Sequence, residues 1–181
     1  MKHRSLALAL ALAFASGCDR QAAAPTADAG FKQLPADQVI VGFQQYVSER
    51  GLNKAIMKGD TAYIYEDSSL AKVRKVDLVL YDEAGKVSAR LTSKAGRLNT
   101  FTQSMVATGN VVLITESDGR RIETEELHYD PTTHRVWSNV FTRQTHQGGV
   151  MTGSGFEADD KFSNVRVTGA RTSGGGFRIN F

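Results

Sequence analysis

The chain has 181 residues, of which 22 are Lys or Arg and 19 are Asp or Glu, and its only cysteine is Cys18. A single thiol excludes an intramolecular disulfide and a thiolate cage for a metal ion. Without Lys2 and Arg4, which belong to a leader described below, 20 basic side chains stand against 19 acidic ones. This balance excludes nucleic acid as a partner, because a nearly neutral domain offers no excess of basic side chains to bind the phosphates.

Residues 1–17 have the pattern of a lipoprotein signal peptide. A basic start precedes an apolar run from Leu6 to Ala15, which is too short to span a bilayer, since spanning takes about 20 apolar residues. The run Ala15-Ser16-Gly17-Cys18 resembles a bacterial lipobox, in which the cysteine is lipidated and becomes the N-terminus. We therefore predict a lipid anchor at Cys18, with an ordinary signal peptide and a chance cysteine as the alternative. Asp19 resembles the signal that retains enterobacterial lipoproteins in the inner membrane.

The rest of the chain divides into three parts. Residues 18–36 are small and polar with two prolines, which predicts a lipidated N-terminus and a flexible tether with a reach of roughly 20–25 Å. Residues 37–168 are predicted to form one domain, because about 130 residues suffice for a core of their own. Residues 169–181 are predicted to be a tail or an edge strand.

The domain has a β pattern throughout. Apolar and polar residues alternate over Val76–Tyr81 and again over Val87–Leu91, with the turn residues Asp82–Gly85 between them. This arrangement predicts a hairpin, and similar turn clusters recur along the domain. No segment after the tether shows sustained helical periodicity. Short strands separated by frequent turns predict an all-β antiparallel sandwich or barrel rather than alternating strands and helices.

A weak internal repeat runs through the second half of the domain. Each unit is predicted to be a strand, a turn and a return strand, so that stacked units bury a continuous face. The apolar positions Leu98, Leu127 and Phe156 are 29 residues apart, and the dipeptides Asn110-Val111, Asn139-Val140 and Asn164-Val165 close the units, the third through a shorter loop.

These segments resemble the periplasmic domain of the LptC family of the lipopolysaccharide export machine. The resemblance is carried by ATGNVVLITESDGRRIETEELHYDP and the upstream LYDEAGKVSARLTSKAGRL, and it covers roughly residues 37–167. It implies an open, V-shaped, slightly twisted antiparallel β-jellyroll of the OstA/LptA type. The chain departs from the family in one respect, because members usually carry an N-terminal transmembrane helix where this chain has the predicted lipid on Cys18.

The resemblance also implies a function and its partners. Family members accept lipopolysaccharide from the inner-membrane ABC transporter and pass it to a periplasmic bridge protein, LptA, through paired jellyroll edges. We therefore expect a periplasmic protein of a Gram-negative-type bacterium, held at the inner membrane by its lipid, with no cofactor, no metal and no enzymatic residues. Two alternatives stay open: an LptA-like lipid-binding β protein without transporter contact, and a glycan-binding or adhesin β-sandwich lipoprotein.

The task of such a protein predicts an apolar groove. One acyl chain of a dozen carbons costs about 10 kcal/mol when it is exposed to water, at about 0.8 kcal/mol per methylene. Alternation cannot distinguish a groove lining from a filled core, so each lining residue has the alternative of an ordinary core position. The predicted lining residues are Val76, Leu78, Leu80, Val87, Ala89, Leu91, Leu98, Val111, Leu113, Leu127, Val140, Phe156 and Val165.

Two edges are predicted to dock partners by strand addition, because an open jellyroll leaves unpaired strand edges. The first lies near the start of the domain, at Val39, Val41 and Phe43. The second lies in the C-terminal SGGGFRINF, at Phe177, Ile179 and Phe181, where a disordered terminus is the alternative.

Some residue clusters resemble chemical sites, but simpler interpretations fit them better. His128, Asp130 and His134 surround one predicted turn and could hold a metal, but Asp130-Pro131 is ordinary turn chemistry. The glycine-rich run from Gly149 to Phe156 lacks the Gly-Lys-Ser/Thr ending and the helix of a phosphate loop. Glu123, Glu125 and Glu126 have no acid placed opposite them for glycoside cleavage, and strand glutamates are usually solvated.

Overall fold

The computed structural model describes residues 36–49 and 51–173. Within these ranges the regular structure consists of twelve β-strands. In the longer strands buried and exposed side chains alternate as the sequence predicted, so that one face of the strand lies inside. The strands are β1 (Gln38–Glu49), β2 (Leu52–Tyr65), β3 (Leu70–Tyr81), β4 (Val87–Asn99), β5 (Met105–Thr115), β6 (Arg121–Asp130), β7 (Arg135–Ser138), β8 (Thr142–His146), β9 (Gly149–Gly153), β10 (Gly155–Asp159), β11 (Val165–Thr168) and β12 (Arg171–Ser173).

All strand pairs are antiparallel, and β1 to β6 form a simple meander in chain order. The sheet divides at β6. Residues 128–130 pair with β7, which leads to β10 and β11, whereas residues 121–124 pair with β8, which leads to β9 and β12. The fork produces two layers, which we call the β7 layer and the β8 layer, and each contains one half of every long strand from β1 to β6.

The two layers meet along a line of backbone irregularities, which we call the seam. Gly42 in β1, Lys75 in β3 and Asn110 in β5 have positive φ angles of 67°, 52° and 47°. The register of β4 and β5 also shifts at this line, between Thr92 and Ala95 and between Thr108 and Val111. Such bulges bend a strand and increase its twist, and at the seam they carry each long strand from one layer into the other.

The bulges also keep the apolar face on one side. In β3 the buried positions step from Val73 to Val76, and in β6 they step from Thr124 to Leu127. A step of three would place the two side chains on opposite faces of a regular strand, because side chains alternate with a period of two. The irregular backbone at the seam corrects this phase, so both halves of the strand point their apolar side chains inward.

The buried side chains of both layers form one cluster. It includes Val73, Leu127 and Phe156 from the β7 layer and Leu113 and Ile122 from the β8 layer, all at most 2% exposed. The buried polar residues of the described part are Ser, Thr and Gln only, and none is ionisable. The interior is therefore aliphatic and uncharged, with hydroxyl groups concentrated near the seam.

The predicted repeat corresponds to the seam in two of its three units. Asn110 and Asn139 both lie where the chain crosses between layers. Asn164 instead lies in the β10–β11 turn, where its amide nitrogen donates to Asp159. In the third unit the crossing occurs at Gly153–Gly155. The Cβ of an alanine at Gly155 would lie 2.4 Å from the carbonyl oxygen of Ser138, so the close approach of two backbones requires glycine there.

Candidate functional site

The candidate site is the apolar interior between the two layers. Eight of the residues predicted to line a groove are buried members of the core cluster: Val76, Leu78, Ala89, Leu91, Val111, Leu113, Leu127 and Phe156. Leu80, Leu98 and Val165 are partly buried and pack against that cluster, and Val87 is half-buried. Most of the predicted positions therefore lie together inside the domain, although their contact with a guest molecule stays a prediction.

Val140 differs from the other predicted lining residues, since it is 38% exposed. It lies between the end of β7 and the start of β8, where the chain passes from one layer to the other and strand alternation no longer applies. Its neighbour Phe141 is also exposed. Several interior residues were missed by the prediction, including Val73, Ile122 and Phe162; for Val73 and Ile122 the alternation of β3 and β6 carried the signal.

The interior is closed in this structure. The gap between Met57, Val76 and Met105 leaves no room for a water molecule. The groove predicted between the layers is occupied by buried side chains from both of them in this structure, as is usual for protein interiors. A hydrocarbon chain could enter only if the layers moved apart or if side chains at the mouth moved away.

The edge of the interior opposite the seam is closed by the β10–β11 loop. Lys161 in this loop donates a hydrogen bond of 3.2 Å to Glu83 in the β3–β4 turn, which belongs to the other layer. Each charge shifts the other's pKa: the hydrogen bond from Lys161 lowers the pKa of Glu83, and Glu83 raises that of Lys161. Both side chains are more than 70% exposed, so this ion pair adds little stability by itself.

Phe162 follows Lys161 and turns into the protein, where it is 7% exposed and belongs to the core cluster. The loop is held by Asp159, whose carboxylate accepts hydrogen bonds from the backbone amides of Ser163 and Asn164. Burial raises the pKa of Asp159, but the bonds from Ser163 and Asn164 outweigh it, so that the pKa lies below the ordinary 3.8. A second contact joins His134 Nδ1 to Asp160 at 2.7 Å.

Free strand edges flank the interior. Among the described strands β1 pairs only with β2, while β11 pairs only with β10 and β12 only with β9. Of the predicted docking residues on β1, Val41 is 79% exposed and Phe43 is buried, so Phe43 can offer a partner only its backbone. The predicted docking residues Phe177, Ile179 and Phe181, together with Cys18 and Asp19, lie outside the described residues.

The cluster of histidines is not assembled into a metal site. His128 contacts Glu126 at 2.6 Å and stacks on Trp137, whereas His134 contacts Asp160. Asp130 accepts a hydrogen bond from the amide of Thr132, as expected of a turn residue. No group of three or more His, Cys, Asp or Glu side chains in residues 36–49 and 51–173 is placed to hold a metal ion.

A second concavity lies on the surface at the seam, with a volume of about 510 Å³. Its lining mixes the apolar Val140 and Phe141 with the charged Glu123, Glu125 and Arg143. Charged side chains at the wall disfavour hydrocarbon, because an apolar guest would remove them from water. The interior, with its uncharged walls, is therefore the better candidate for an apolar guest. In the part of the chain that the structure describes, no helix is long and apolar enough to cross a membrane.

Comparison with known proteins agrees with the fold and with the resemblance seen in the sequence. The periplasmic lipopolysaccharide transport component LptH of Pseudomonas aeruginosa, described as an LptA homologue, has a similar structure, with a TM-score of 0.57 and 14% identity. The similarity covers 72% of this chain and all of the LptH chain, and it confirms the predicted all-β open jellyroll. No curated protein matches. The family model for lipopolysaccharide-assembly, LptC-related proteins matches residues 6–173, and the chain therefore belongs to the LptC-related family, whose process is lipopolysaccharide transport.

Proposed function

We propose that the protein is a periplasmic lipoprotein that receives lipopolysaccharide from an inner-membrane ABC transporter and relays it to an LptA-like bridge protein. The observation that carries the proposal is the uncharged aliphatic interior, enclosed by two layers with free edges, in a chain of a lipopolysaccharide-assembly family. Acyl chains would occupy this interior, and the sugars would remain in water.

Energetics favour this assignment. Sheltering one twelve-carbon chain is worth about 10 kcal/mol, which is enough to displace several side chains from a closed interior. Aliphatic walls provide no specific strong contact, so a chain could slide along them while the transporter supplies the work. Nothing in this task requires catalysis, and we expect the chain to have no enzymatic activity.

Photo-crosslinking tests where the cargo lies. A photoreactive residue at Leu78, Leu98 or Val111 should form adducts with lipopolysaccharide in cells, because these side chains face the interior. The matched control is Asp77, which neighbours Leu78 in β3 and is exposed on the outer face. Equal labelling at Leu78 and Asp77 would contradict the proposal, and adducts only with sugar polymers would favour a glycan-binding protein.

We further propose that Cys18 carries the lipid and that Asp19 retains the protein at the inner membrane. Cys18→Ser should release the protein from membranes, and Asp19→Ser should relocate it to the outer membrane if the retention signal is used. A Cys18→Ser protein that still sediments with membranes would contradict the anchor. The tether would then keep the jellyroll within roughly 20–25 Å of the membrane surface, where the transporter can reach one of its edges.

Delivery by strand addition is the third part of the proposal. Among the described strands, β1 and β11 each pair with one neighbour only, so their outer edges can take up a strand from a partner protein. Such pairing provides affinity through main-chain hydrogen bonds. By analogy with the family, the N-terminal side would face the transporter and the C-terminal side would face the bridge protein.

A further inference from the structure

We infer that the β10–β11 loop is a gate, and that Phe162 occupies space in the interior that an acyl chain takes during transport. The inference rests on the proposed function, because a gate has meaning only if the interior receives a guest. In this inference the β10–β11 loop controls the entry of a guest into the interior.

The first observation is the unusual conformation of Phe162. Its φ angle is 55°, in the left-handed region that bulky side chains rarely adopt. Strained backbone of this kind persists only where surrounding contacts hold it, and it concentrates at switches and ligand clamps. Here the contacts are those of Asp159, whose carboxylate fixes the amides of Ser163 and Asn164 at 2.8 and 3.1 Å.

The second observation is the position of the loop. It belongs to the β7 layer, yet Lys161 bonds to Glu83 in the turn between β3 and β4 of the other layer. The side chain next to this bridge, Phe162, is buried. The loop therefore joins the two layers at the edge opposite the seam, where the layers would separate to admit a chain, and the joining ion pair is exposed and lies next to a buried apolar side chain.

The third observation is a contrast with the β4–β5 turn, where a side-chain oxygen also accepts hydrogen bonds from backbone amides of the turn. Asn99 accepts hydrogen bonds from the amides of Phe101 and Thr102, much as Asp159 does in its own loop. Phe101, however, is 86% exposed. A capped turn with a phenylalanine does not by itself bury the aromatic ring, so the inward position of Phe162 is particular to the β10–β11 loop.

The gate makes a kinetic prediction that a filled core does not. Asp159→Ala leaves the interior side chains unchanged but releases the loop, so it should let an apolar guest enter faster. We expect the association rate of 11-(dansylamino)undecanoic acid, followed by stopped-flow fluorescence on the purified protein, to rise at least tenfold. Asn99→Ala, which removes the side-chain bonds to the backbone of the β4–β5 turn, should leave this rate unchanged.

A second pair of variants separates gating from the creation of a cavity. Phe162→Leu and Phe156→Leu remove the same volume from the core cluster, but only the first acts on the loop. Phe162→Leu should bind the probe at least threefold more tightly than the wild type, and Phe156→Leu should not. Circular dichroism should show all four variants folded at the assay temperature, and if Asp159→Ala fails this check, the Phe162→Leu pair decides.

The outcomes distinguish the gate from the proposed function. If the wild type binds the probe and the variants of Asp159 and Phe162 behave like their controls, the gate is wrong and lipid binding stands. An equal gain in Phe156→Leu and Phe162→Leu also overturns the gate, because the gain then comes from lost volume. If neither the wild type nor any variant binds the probe or forms interior adducts with lipopolysaccharide, the proposed function fails and the gate fails with it.

Discussion

Truncation of Leu113 tests whether the interior is packed solid in the absence of cargo. Leu113 is 1% exposed and pairs across the β8 layer with Leu91 and Ile122. Leu113→Ala removes three carbon groups at about 0.8 kcal/mol each, or about 2.4 kcal/mol, and the cavity left behind adds to this loss. We expect a total of about 3–4 kcal/mol, within the range known for buried leucines.

The assay is urea unfolding of the purified protein, followed by circular dichroism and compared at equal m-values. Val140→Ala is the control, because Val140 lies at the seam and is 38% exposed; we expect it to cost less than about 1 kcal/mol. A loss below about 1 kcal/mol for Leu113→Ala would refute the reasoning, since a side chain that lines a water-filled slot has few contacts to lose.

Three further predictions concern backbone approach, pH and the free edge. Gly155→Ala should destabilise the protein by about 2 kcal/mol or more, since the new Cβ would lie 2.4 Å from the Ser138 carbonyl oxygen. The control Gly119→Ala has open space around its Cβ and should cost only about 1 kcal/mol, because of the positive φ at this position. Thermal unfolding measures both losses of stability, and equal losses would contradict the close approach of the two backbones at Gly155. The folded-state pKa of Asp159 lies below 3.8, so its carboxylate stabilises the fold above the unfolded pKa, and this stability is lost as pH falls through the folded pKa. Asp159→Asn should therefore reduce the fall in the free energy of unfolding between pH 5 and pH 2. An unchanged dependence of this free energy on pH would contradict the role of the Asp159 carboxylate in holding the loop. Val167→Pro in the edge strand β11 should abolish capture of the bridge protein, because the backbone N–H of Val167 faces away from β10 and proline lacks this donor, whereas Val167→Ala should not; normal capture by a folded Val167→Pro would remove β11 from the docking edge.

The strands and their inward faces could be predicted from the sequence, because alternation reports burial directly. The hairpin predicted over Val76–Leu91 is found in β3 and β4, with Asp82 accepting bonds from the amides of Ala84 and Lys86 at the turn. The family resemblance supplied the jellyroll. Period-two alternation needs only local sequence, so it served well wherever a strand is regular.

Prediction was weaker where the backbone departs from regularity. The bulge at Lys75 shifts the phase of β3, and Val140 lies in a crossing between layers where no alternation applies. Phe162 lies in the β10–β11 loop and belongs to no strand, so no periodic pattern marked it as an interior residue. Closure of the interior could not be predicted either, because a filled core and a lined groove require the same side chains.

The most direct test of the central claim is the distance between the two layers at the mouth, measured with and without cargo. Spin labels at Ala84→Cys and Ser163→Cys, in a Cys18→Ser background that removes the only native thiol, report on the turns that Glu83 and Lys161 connect while leaving that ion pair intact. Addition of lipopolysaccharide should lengthen the distance by several ångströms, since the layers must part to admit acyl chains. An unchanged distance in a sample shown to hold bound lipopolysaccharide would contradict the account.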